Sequence, residues 1–200
     1  MSRTVGILIF DDVEELDFVG PWEVFTMANE VAKRFDRPQP FTMMLLAENP
    51  GPVRCAKGLQ VLPDTRMAEI SSLDVLLVPG GMGTRREVGN ELLLSWIAAI
   101  AERAEWVTSV CTGALLLTAA GPARGKSVTT HHAFVDTLAA RGEAGEVLTG
   151  RRYVRDGNLV TAAGVSAGID MALWLVSEIC GNEFAKATRK AMQYDPEPPV

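Results

Sequence analysis

Four runs rich in apolar or β-branched residues mark the predicted strands of this chain, at residues 4–10, 41–47, 73–78 and 106–110. A strand that is apolar at nearly every position is covered on both faces, which is typical of a parallel sheet. Two pairs of shorter β-type segments, 53–55 with 59–62 and 153–155 with 159–161, flank turn sequences that contain glycine, and each pair predicts a hairpin. A further short strand is expected at 127–130.

Helical patterns fill the intervals between these strands, over residues 20–34, 90–103, 112–120, 133–141, 166–180 and 182–193. Pro21 suits a first helical turn, where its missing N–H removes no helical hydrogen bond. Ser166 is a candidate N-cap. The buried stripe of that helix is expected at Ile169, Leu173, Val176 and Cys180. Alternation of strands and helices predicts one α/β domain over residues 1–200, with a mostly parallel sheet sandwiched between helices.

Composition and net charge disfavour some classes of function for this protein. The chain has 200 residues, of which 48% are hydrophobic and 22% charged, values typical of a globular protein. A net charge of −6 and the lack of a basic run disfavour nucleic-acid binding. No apolar stretch approaches the roughly 20 residues that span a bilayer, and no signal-peptide pattern precedes the first strand. We therefore expect a soluble, cytoplasmic protein that binds neither nucleic acid nor membrane.

One cysteine lies where a strand runs directly into a helix. Residues 106–110 are strand-like, residues 113–117 favour a helix, and Cys111 occupies the junction. Such a turn is a nucleophile elbow, here with Cys in place of Ser, and small residues such as Thr112 and Gly113 allow the helix to pack on the strand. A sulfur at a helix N-terminus favours the thiolate. The alternative is a small buried packing residue, the role of most free cysteines.

Other candidate residues follow neighbouring strands, and the carboxyl ends of parallel strands meet at the edge where ligands bind. Gly80 and Gly81 follow the third run, and their N–H groups are candidates to stabilise charge on a substrate, as in an oxyanion hole. Asp17 lies between apolar neighbours, so burial is expected to raise its pKa and to suit it to proton transfer. The residues alone do not distinguish Asp17 from Glu14 or Glu15.

The only histidines are His131 and His132. Because they are adjacent, we expect their side chains to point in different directions, and without a third suitable ligand no metal site is predicted. A pairing of His131 with Cys111 is less well supported than a supporting or structural role. The other two cysteines, Cys55 and Cys180, are interpreted as packing residues.

Six segments together resemble one protein family. They are residues 10–21, 79–83, 109–114, 129–131, 155–159 and 164–170. In this order, and spread over nearly the whole chain, they are similar to the ThiJ/PfpI superfamily and, within it, most similar to the isocyanide (isonitrile) hydratases. The resemblance implies a flavodoxin-like, class I glutamine amidotransferase-like fold that carries a cysteine nucleophile elbow and forms a homodimer.

The resemblance also implies a role for each matching residue. Cys111 matches the nucleophile, Asp17 the general acid/base, and Thr112 the hydroxyl beside the nucleophile. Gly80 and Gly81 match the turn that faces the sulfur. The implied reaction adds water to a small-molecule isocyanide, R–N≡C, to give an N-substituted formamide without a cofactor. The residues fit this chemistry, since the terminal carbon is electrophilic and sulfur can add to it as a thioimidate.

Two departures from the family pattern affect the interpretation. Thr112 rather than His follows the nucleophile, which disfavours proteolysis. His132 stands where close relatives often have Trp, so the pocket wall and the choice of substrate stay open. The alternatives are a glyoxalase- or deglycase-type enzyme acting on α-oxoaldehydes, and a non-enzymatic cysteine redox sensor or ligand-binding module related to AraC-type regulators.

Overall fold

The computed structural model describes residues 2–196 of the chain. This part contains eleven strands and seven α-helices. The strands are β1 (Arg3–Leu8), β2 (Phe41–Ala47), β3 (Val53–Arg54), β4 (Gln60–Val61), β5 (Thr65–Arg66), β6 (Val75–Val78), β7 (Trp106–Val110), β8 (Ser127–Val128), β9 (Glu146–Val147), β10 (Tyr153–Asp156) and β11 (Leu159–Ala162). The helices are α1 (Glu15–Arg34), α2 (Thr84–Glu87), α3 (Glu91–Ala101), α4 (Gly113–Ala120), α5 (Val135–Ala140), α6 (Ala167–Cys180) and α7 (Asn182–Ala191).

The central sheet has seven strands in the order β10-β11-β7-β6-β1-β2-β5. Every neighbouring pair is parallel except the hairpin of β10 and β11 at one edge. Strands β6 and β7 are buried at every position, as expected for strands that are covered on both faces. Helices α1, α6 and α7 pack against one another, and α3 packs against α4. The predicted mostly parallel sheet between helices is confirmed.

Two small sheets lie apart from the central one. Strands β3 and β4 form the predicted antiparallel hairpin. Strand β8 does not extend the central sheet; it pairs in parallel with β9 as a separate two-stranded sheet. Helix α5 is shorter than predicted, since a 3₁₀ turn over His132–Phe134 precedes it. Among residues 2–196, no helix is both long enough and apolar enough to cross a bilayer.

Helix α1 begins earlier than predicted. It starts at Glu15, so Pro21 lies in its second turn rather than its first. A proline so near the helix N-terminus removes only one hydrogen bond, the one that a backbone N–H at this position would have donated to the carbonyl oxygen of Asp17. Gly20 lets the helix approach α6 closely, since a Cβ there would lie 3.0 Å from Cγ1 of Ile169. Asp17 therefore lies on the first turn of a helix and not in the preceding loop.

The predicted buried stripe of α6 is wrong for three of its four members. Only Val176 is fully buried; Ile169, Leu173 and Cys180 are half-buried. The buried face consists of Ala167, Gly168, Met171, Ala172, Leu175 and Val176. This face carries several small residues because the helix lies close to β7, where a Cβ on Gly168 would come within 3.0 Å of the Val110 side chain. Ser166 occupies the N-cap position without a capping hydrogen bond.

Candidate active site

The strand-to-helix turn at Cys111 has the geometry of a nucleophile elbow. Cys111 lies between β7 and α4 with φ +55°, a left-handed conformation that is strained for a residue with a side chain. Its N–H donates to two carbonyl oxygens, that of Ala163 at 2.8 Å and that of Ala162 at 3.1 Å. These hydrogen bonds hold the turn against the end of β11. A Cβ at Gly113 would lie 2.0 Å from the Val78 carbonyl oxygen, so only glycine fits there. The side chain of Cys111 is 7% exposed.

The carboxyl group of Asp17 meets the elbow from α1. It is fully buried, and its Oδ2 accepts the N–H of Gly80 at 2.9 Å. Its Oδ1 is buried with no hydrogen-bond partner among residues 2–196, on a side chain that contacts the Cys111 thiol. The two neighbouring acids are engaged elsewhere: Glu14 forms an ion pair with Lys57, and Glu15 accepts the Lys57 N–H at 2.7 Å. Of the three acids, Asp17 is the one whose carboxyl group accepts the Gly80 N–H beside the Cys111 turn.

Burial controls the protonation of both groups. It raises the pKa of Asp17 to about 7, and the N–H of Gly80 opposes this only in part. It also raises the pKa of the Cys111 thiol to about 12, helped by the carboxylate of Asp17 and opposed by the N–H groups of Thr112 and Val165. The expectation of a resting thiolate is therefore wrong, because desolvation outweighs the helix N-terminus. Once Asp17 has ionised, the remaining proton of the pair lies on sulfur.

The Gly80-Gly81 turn lies against the elbow, but its N–H groups are already engaged. Gly80 donates to Asp17, and Gly81 donates to Oγ1 of Thr112 at 3.0 Å. In this structure neither N–H is free for the predicted role in stabilising charge on a substrate. Glycine is required at position 80 for another reason, since a Cβ there would lie 2.5 Å from the Thr112 nitrogen and 2.9 Å from Cβ of Cys111. The turn holds the acid and the elbow in place.

Thr112 joins the turn to the elbow. Its side chain is buried, accepts the Gly81 N–H and lies 3.2 Å from both the Gly81 carbonyl oxygen and Oγ1 of Thr84. It makes no capping hydrogen bond to α4. The hydroxyl therefore acts as a bridge between two loops, which helix capping does not explain.

The two histidines stack on each other instead of pointing apart. Their ring centroids lie 4.3 Å from each other with an interplanar angle of 31°. The expectation that the two side chains point in different directions is wrong. His131 has an extended backbone and leads into the 3₁₀ turn, which places His132 on the same side. The His131 ring covers Gly164, where a Cβ would lie 2.5 Å from Cδ2. Among residues 2–196 no hydrogen bond joins His131 to Cys111. The prediction for His131 therefore stays a supporting or structural role.

Two residues that the sequence analysis gave no role also contact the elbow. Thr130 donates its hydroxyl to the Cys111 carbonyl oxygen at 2.8 Å. Val165 directs its N–H towards the sulfur and has φ +39°, which is rare for a β-branched residue. Both lie in segments that carry the family resemblance. The residue type of Val165 gives no indication of this conformation, however. Of the other cysteines, Cys55 is buried and Cys180 half-buried.

A row of flat groups lies next to the Gly81 turn. Arg85 donates to the Gly81 carbonyl oxygen at 2.7 Å, and its guanidinium lies 4.1 Å from the ring centroid of Phe134. The Phe134 ring in turn lies 6.0 Å from that of His131. This row connects the Gly81 turn with the His131 segment. Among the described residues, no group of three or more His, Cys, Asp or Glu side chains is arranged to hold a metal ion.

Comparisons with known proteins identify the family. A sequence model of the DJ-1/PfpI family matches residues 3–178. Isonitrile hydratase of Pseudomonas putida is 38% identical over 199 residues, which cover all of this chain and 82% of that protein. The HTH-type transcriptional regulator GbdR of Pseudomonas aeruginosa is 27% identical over 195 residues, covering 96% of this chain and 51% of the regulator.

The solved structures agree with the sequence comparisons. The crystal structure of a THiJ/PfpI family protein from Pseudomonas syringae superposes with a TM-score of 0.89 at 31% identity, covering all of this chain and 78% of that one. Fold, motif order and sequence similarity therefore lead to the same conclusion. This chain belongs to the DJ-1/PfpI family.

Proposed function

We propose that the protein is an isocyanide hydratase-like enzyme, which adds water to R–N≡C to give an N-substituted formamide. Cys111 is the nucleophile and Asp17 the general acid/base. The observation that carries the proposal is the buried Asp17 carboxyl group beside the Cys111 turn, held by the Gly80 N–H through Oδ2, with an Oδ1 that has no partner among residues 2–196. The 38% identity to isonitrile hydratase of Pseudomonas putida over the full chain supports it.

The first step forms a covalent intermediate. The resting pair holds one proton on sulfur, and the carboxylate of Asp17 accepts that proton as the sulfur electron pair attacks the terminal isocyanide carbon. Asp17 then returns the proton to the same carbon. The product is the thioimidate R–N=CH–S–Cys111, in which the thiol hydrogen has become the C–H hydrogen. No cofactor is needed, because the carbon is electrophilic by itself.

The second step consumes water. Asp17, again a carboxylate, accepts one proton of the attacking water while the oxygen bonds to the thioimidate carbon, and it passes that proton to the nitrogen to give R–NH–CH(OH)–S–Cys111. The carbon–sulfur bond then breaks, the remaining hydroxyl proton moves by way of Asp17 to the sulfur, and the formamide R–NH–CHO leaves. Across both steps one water molecule is consumed and the enzyme returns to its starting state. One carboxyl group suffices because the two proton transfers occur in turn.

The surrounding backbone contributes electrostatics. The N–H groups of Thr112 and Val165 face the sulfur and favour negative charge on it. They are therefore placed to stabilise the sulfur as it leaves the carbon. Gly80 and Gly81 act as positioning residues, since their N–H groups hold Asp17 and Thr112.

The test is steady-state formamide production from a small panel of alkyl and aryl isocyanides. We expect turnover by the unmodified protein and its loss in both Cys111→Ala and Asp17→Asn. Cys180→Ala is the matched control, because this half-buried cysteine lies outside the site. Unchanged rates in the two site variants would refute the mechanism, and methylglyoxal consumption without isocyanide turnover would select the glyoxalase-type alternative.

One observation favours a second candidate function. The chain aligns over 96% of its length with GbdR, although it spans only 51% of that regulator. A ligand-binding module built on the same site is therefore the second candidate. Saturable binding of isocyanides to Cys111 without any product would favour it over the hydratase.

We also propose that the protein forms a homodimer, as the family resemblance implies, and that it is cytoplasmic, as expected from its composition. Helix α1 supports self-association, because its apolar side chains Leu16 and Val19 are 38% and 40% exposed. Light scattering after size-exclusion chromatography tests this. A monomeric mass at assay concentration would contradict it.

A further inference from the structure

An ion pair lies at the N-terminus of α1, the helix that carries Asp17. Lys57 belongs to the turn between β3 and β4, and its ammonium group contacts both carboxylate oxygens of Glu14. The Glu14 side chain is only 18% exposed, whereas that of Lys57 is 66% exposed. Neither residue takes part in the proposed proton transfers, so the mechanism leaves this pair without a role.

The backbone holds Glu14 and Asp17 at a fixed spacing. Glu14 is the N-cap of α1 and Asp17 is the third residue of the helix, and residues so placed lie on the same side of the first turn. Gly80 binds both of them. The Glu14 N–H donates to the Gly80 carbonyl oxygen at 3.0 Å, and the Gly80 N–H donates to the Asp17 carboxylate at 2.9 Å. The negative charge of Glu14 is therefore held close to the ionisable group of Asp17.

The hairpin of β3 and β4 anchors Lys57 against the same segment. The Ala56 N–H donates to the Val13 carbonyl oxygen at 2.8 Å, and the Lys57 N–H donates to Oε1 of Glu15 at 2.7 Å. The backbone of Lys57 is thus fixed at the place where its side chain meets Glu14. Only the packing of this hairpin on α1 brings a cation to the Asp17 side of the helix.

The two charges act on Asp17 in opposite directions. The charged and titratable groups that act on this carboxyl group are Glu14 from its own helix, Lys57 from the hairpin and Cys111 from the elbow. After burial, which is the largest cause, Glu14 raises the pKa of Asp17 and Lys57 lowers it. Pairing with Glu14 also raises the pKa of Lys57 above its ordinary value of 10.5, so Lys57 stays cationic while Asp17 titrates.

We propose that Lys57 is a positioning residue for proton transfer, which acts through Glu14: by pairing with this carboxylate it offsets a negative charge beside Asp17 and so sets how readily the acid ionises. The inference rests on the proposed function only for its kinetic consequence. The ionisation of Asp17 is a property of the protein without substrate and is measured separately.

The direct test follows the ionisation of Asp17 by NMR. The side-chain carboxyl carbon of Asp17, assigned by its absence in Asp17→Asn, is titrated between pH 4 and 10 in isotope-labelled protein. In Glu14→Gln the cation of Lys57 is left unpaired, and we expect the midpoint to move down by about 0.5 pH units. In Lys57→Met the anion of Glu14 is left unpaired, and we expect the midpoint to move up by about the same amount.

The opposite signs separate an effect of charge from damage to the fold, which would move both midpoints in one direction. Glu30→Gln and Lys33→Met are the matched controls, because they remove the partners of an exposed ion pair on the same helix. The double variant of Glu14→Gln and Lys57→Met should titrate between the two single variants. Midpoints that move in the same direction in both single variants, or no further than in the controls, would overturn the inference.

The same variants test the consequence for the reaction. Because the carboxylate of Asp17 is the reactive form, kcat/KM at pH 6 should be about threefold higher in Glu14→Gln and about threefold lower in Lys57→Met, the ratio that corresponds to about 0.5 pH units. Isocyanide turnover without the opposite NMR shifts overturns the inference alone. NMR shifts of opposite sign in a protein that turns over no isocyanide support the inference and overturn the proposed function instead.

Discussion

Asp17 accepts the N–H of Gly80 through one carboxylate oxygen at 2.9 Å, while its other oxygen is buried without a partner among residues 2–196. A buried carboxylate with an unsatisfied oxygen is unfavourable unless a proton or a donor reaches it. In this site the donor at hand is the Cys111 thiol. One oxygen is therefore fixed by the backbone, while the other is open to a proton or a donor.

The rate should depend on pH through Asp17. The reactive pair holds one proton, and this form prevails between the pKa of Asp17, about 7, and that of Cys111, about 12. We therefore expect kcat/KM for a neutral isocyanide to rise as the pH is raised through about 7 and then to level off. A pH profile from 5 to 10 checks this. A half-maximal rate near pH 4, the usual value of an aspartate, would contradict it.

Replacement of Asp17 should stabilise the protein at alkaline pH. Its pKa in the folded state lies above the unfolded value, so the stabilisation from the bound proton is complete below about pH 4 and is lost as the pH rises to about 7. A rise from 3.8 to about 7 corresponds to about 4 kcal/mol of unfolding free energy.

Asp17→Asn cannot ionise and avoids this loss. Urea unfolding should therefore show a gain of up to about 4 kcal/mol over the unmodified protein at pH 8 and a much smaller one at pH 4.5. Asp36→Asn, at an exposed position, is the control and should show no such difference. A variant less stable than the unmodified protein at pH 8 would contradict the assignment of a buried, ionisable acid.

Gly80→Ala should disturb the site directly. The new Cβ would lie 2.5 Å from the Thr112 nitrogen, a backbone atom that cannot move without shifting the elbow. We expect a loss of about 1–3 kcal/mol in unfolding free energy and about a 100-fold lower kcat/KM, as for a small misplacement of reacting groups. Gly51→Ala is the control, because nothing lies within 4 Å of its Cβ position. Similar kinetics in both variants would show that the turn does not position the site.

Thr112→Val should separate the turn from the elbow. Valine keeps the shape but leaves the buried Gly81 N–H without its acceptor, which costs about 1–3 kcal/mol. Thr118→Val on the same helix is the matched control, since its hydroxyl donates only to helix carbonyls. The free energy of unfolding measured in urea and kcat should both fall further in Thr112→Val than in Thr118→Val. If the control falls as far as the test variant, the bridge is unimportant.

Local sequence alone determined the parallel strands and the place of the elbow. A strand buried on both faces is mostly apolar, and a helix that packs on the strand before it must begin with small residues such as Gly113. The raised pKa of Asp17 was also readable, because its apolar neighbours in the chain predict burial. These features depend on residues that are close together in sequence.

The tertiary structure decided which groups face one another. Gly80 is 63 residues from Asp17 in the chain, and only the packing of β6 beside β1 brings the N–H of one to the carboxylate of the other. The same packing buries Cys111 and keeps its proton on sulfur, against the effect of the helix N-terminus. Hydrophobic patterns indicate which segments form the core, but hydrogen-bond partners and protonation depend on distant segments that no local pattern specifies.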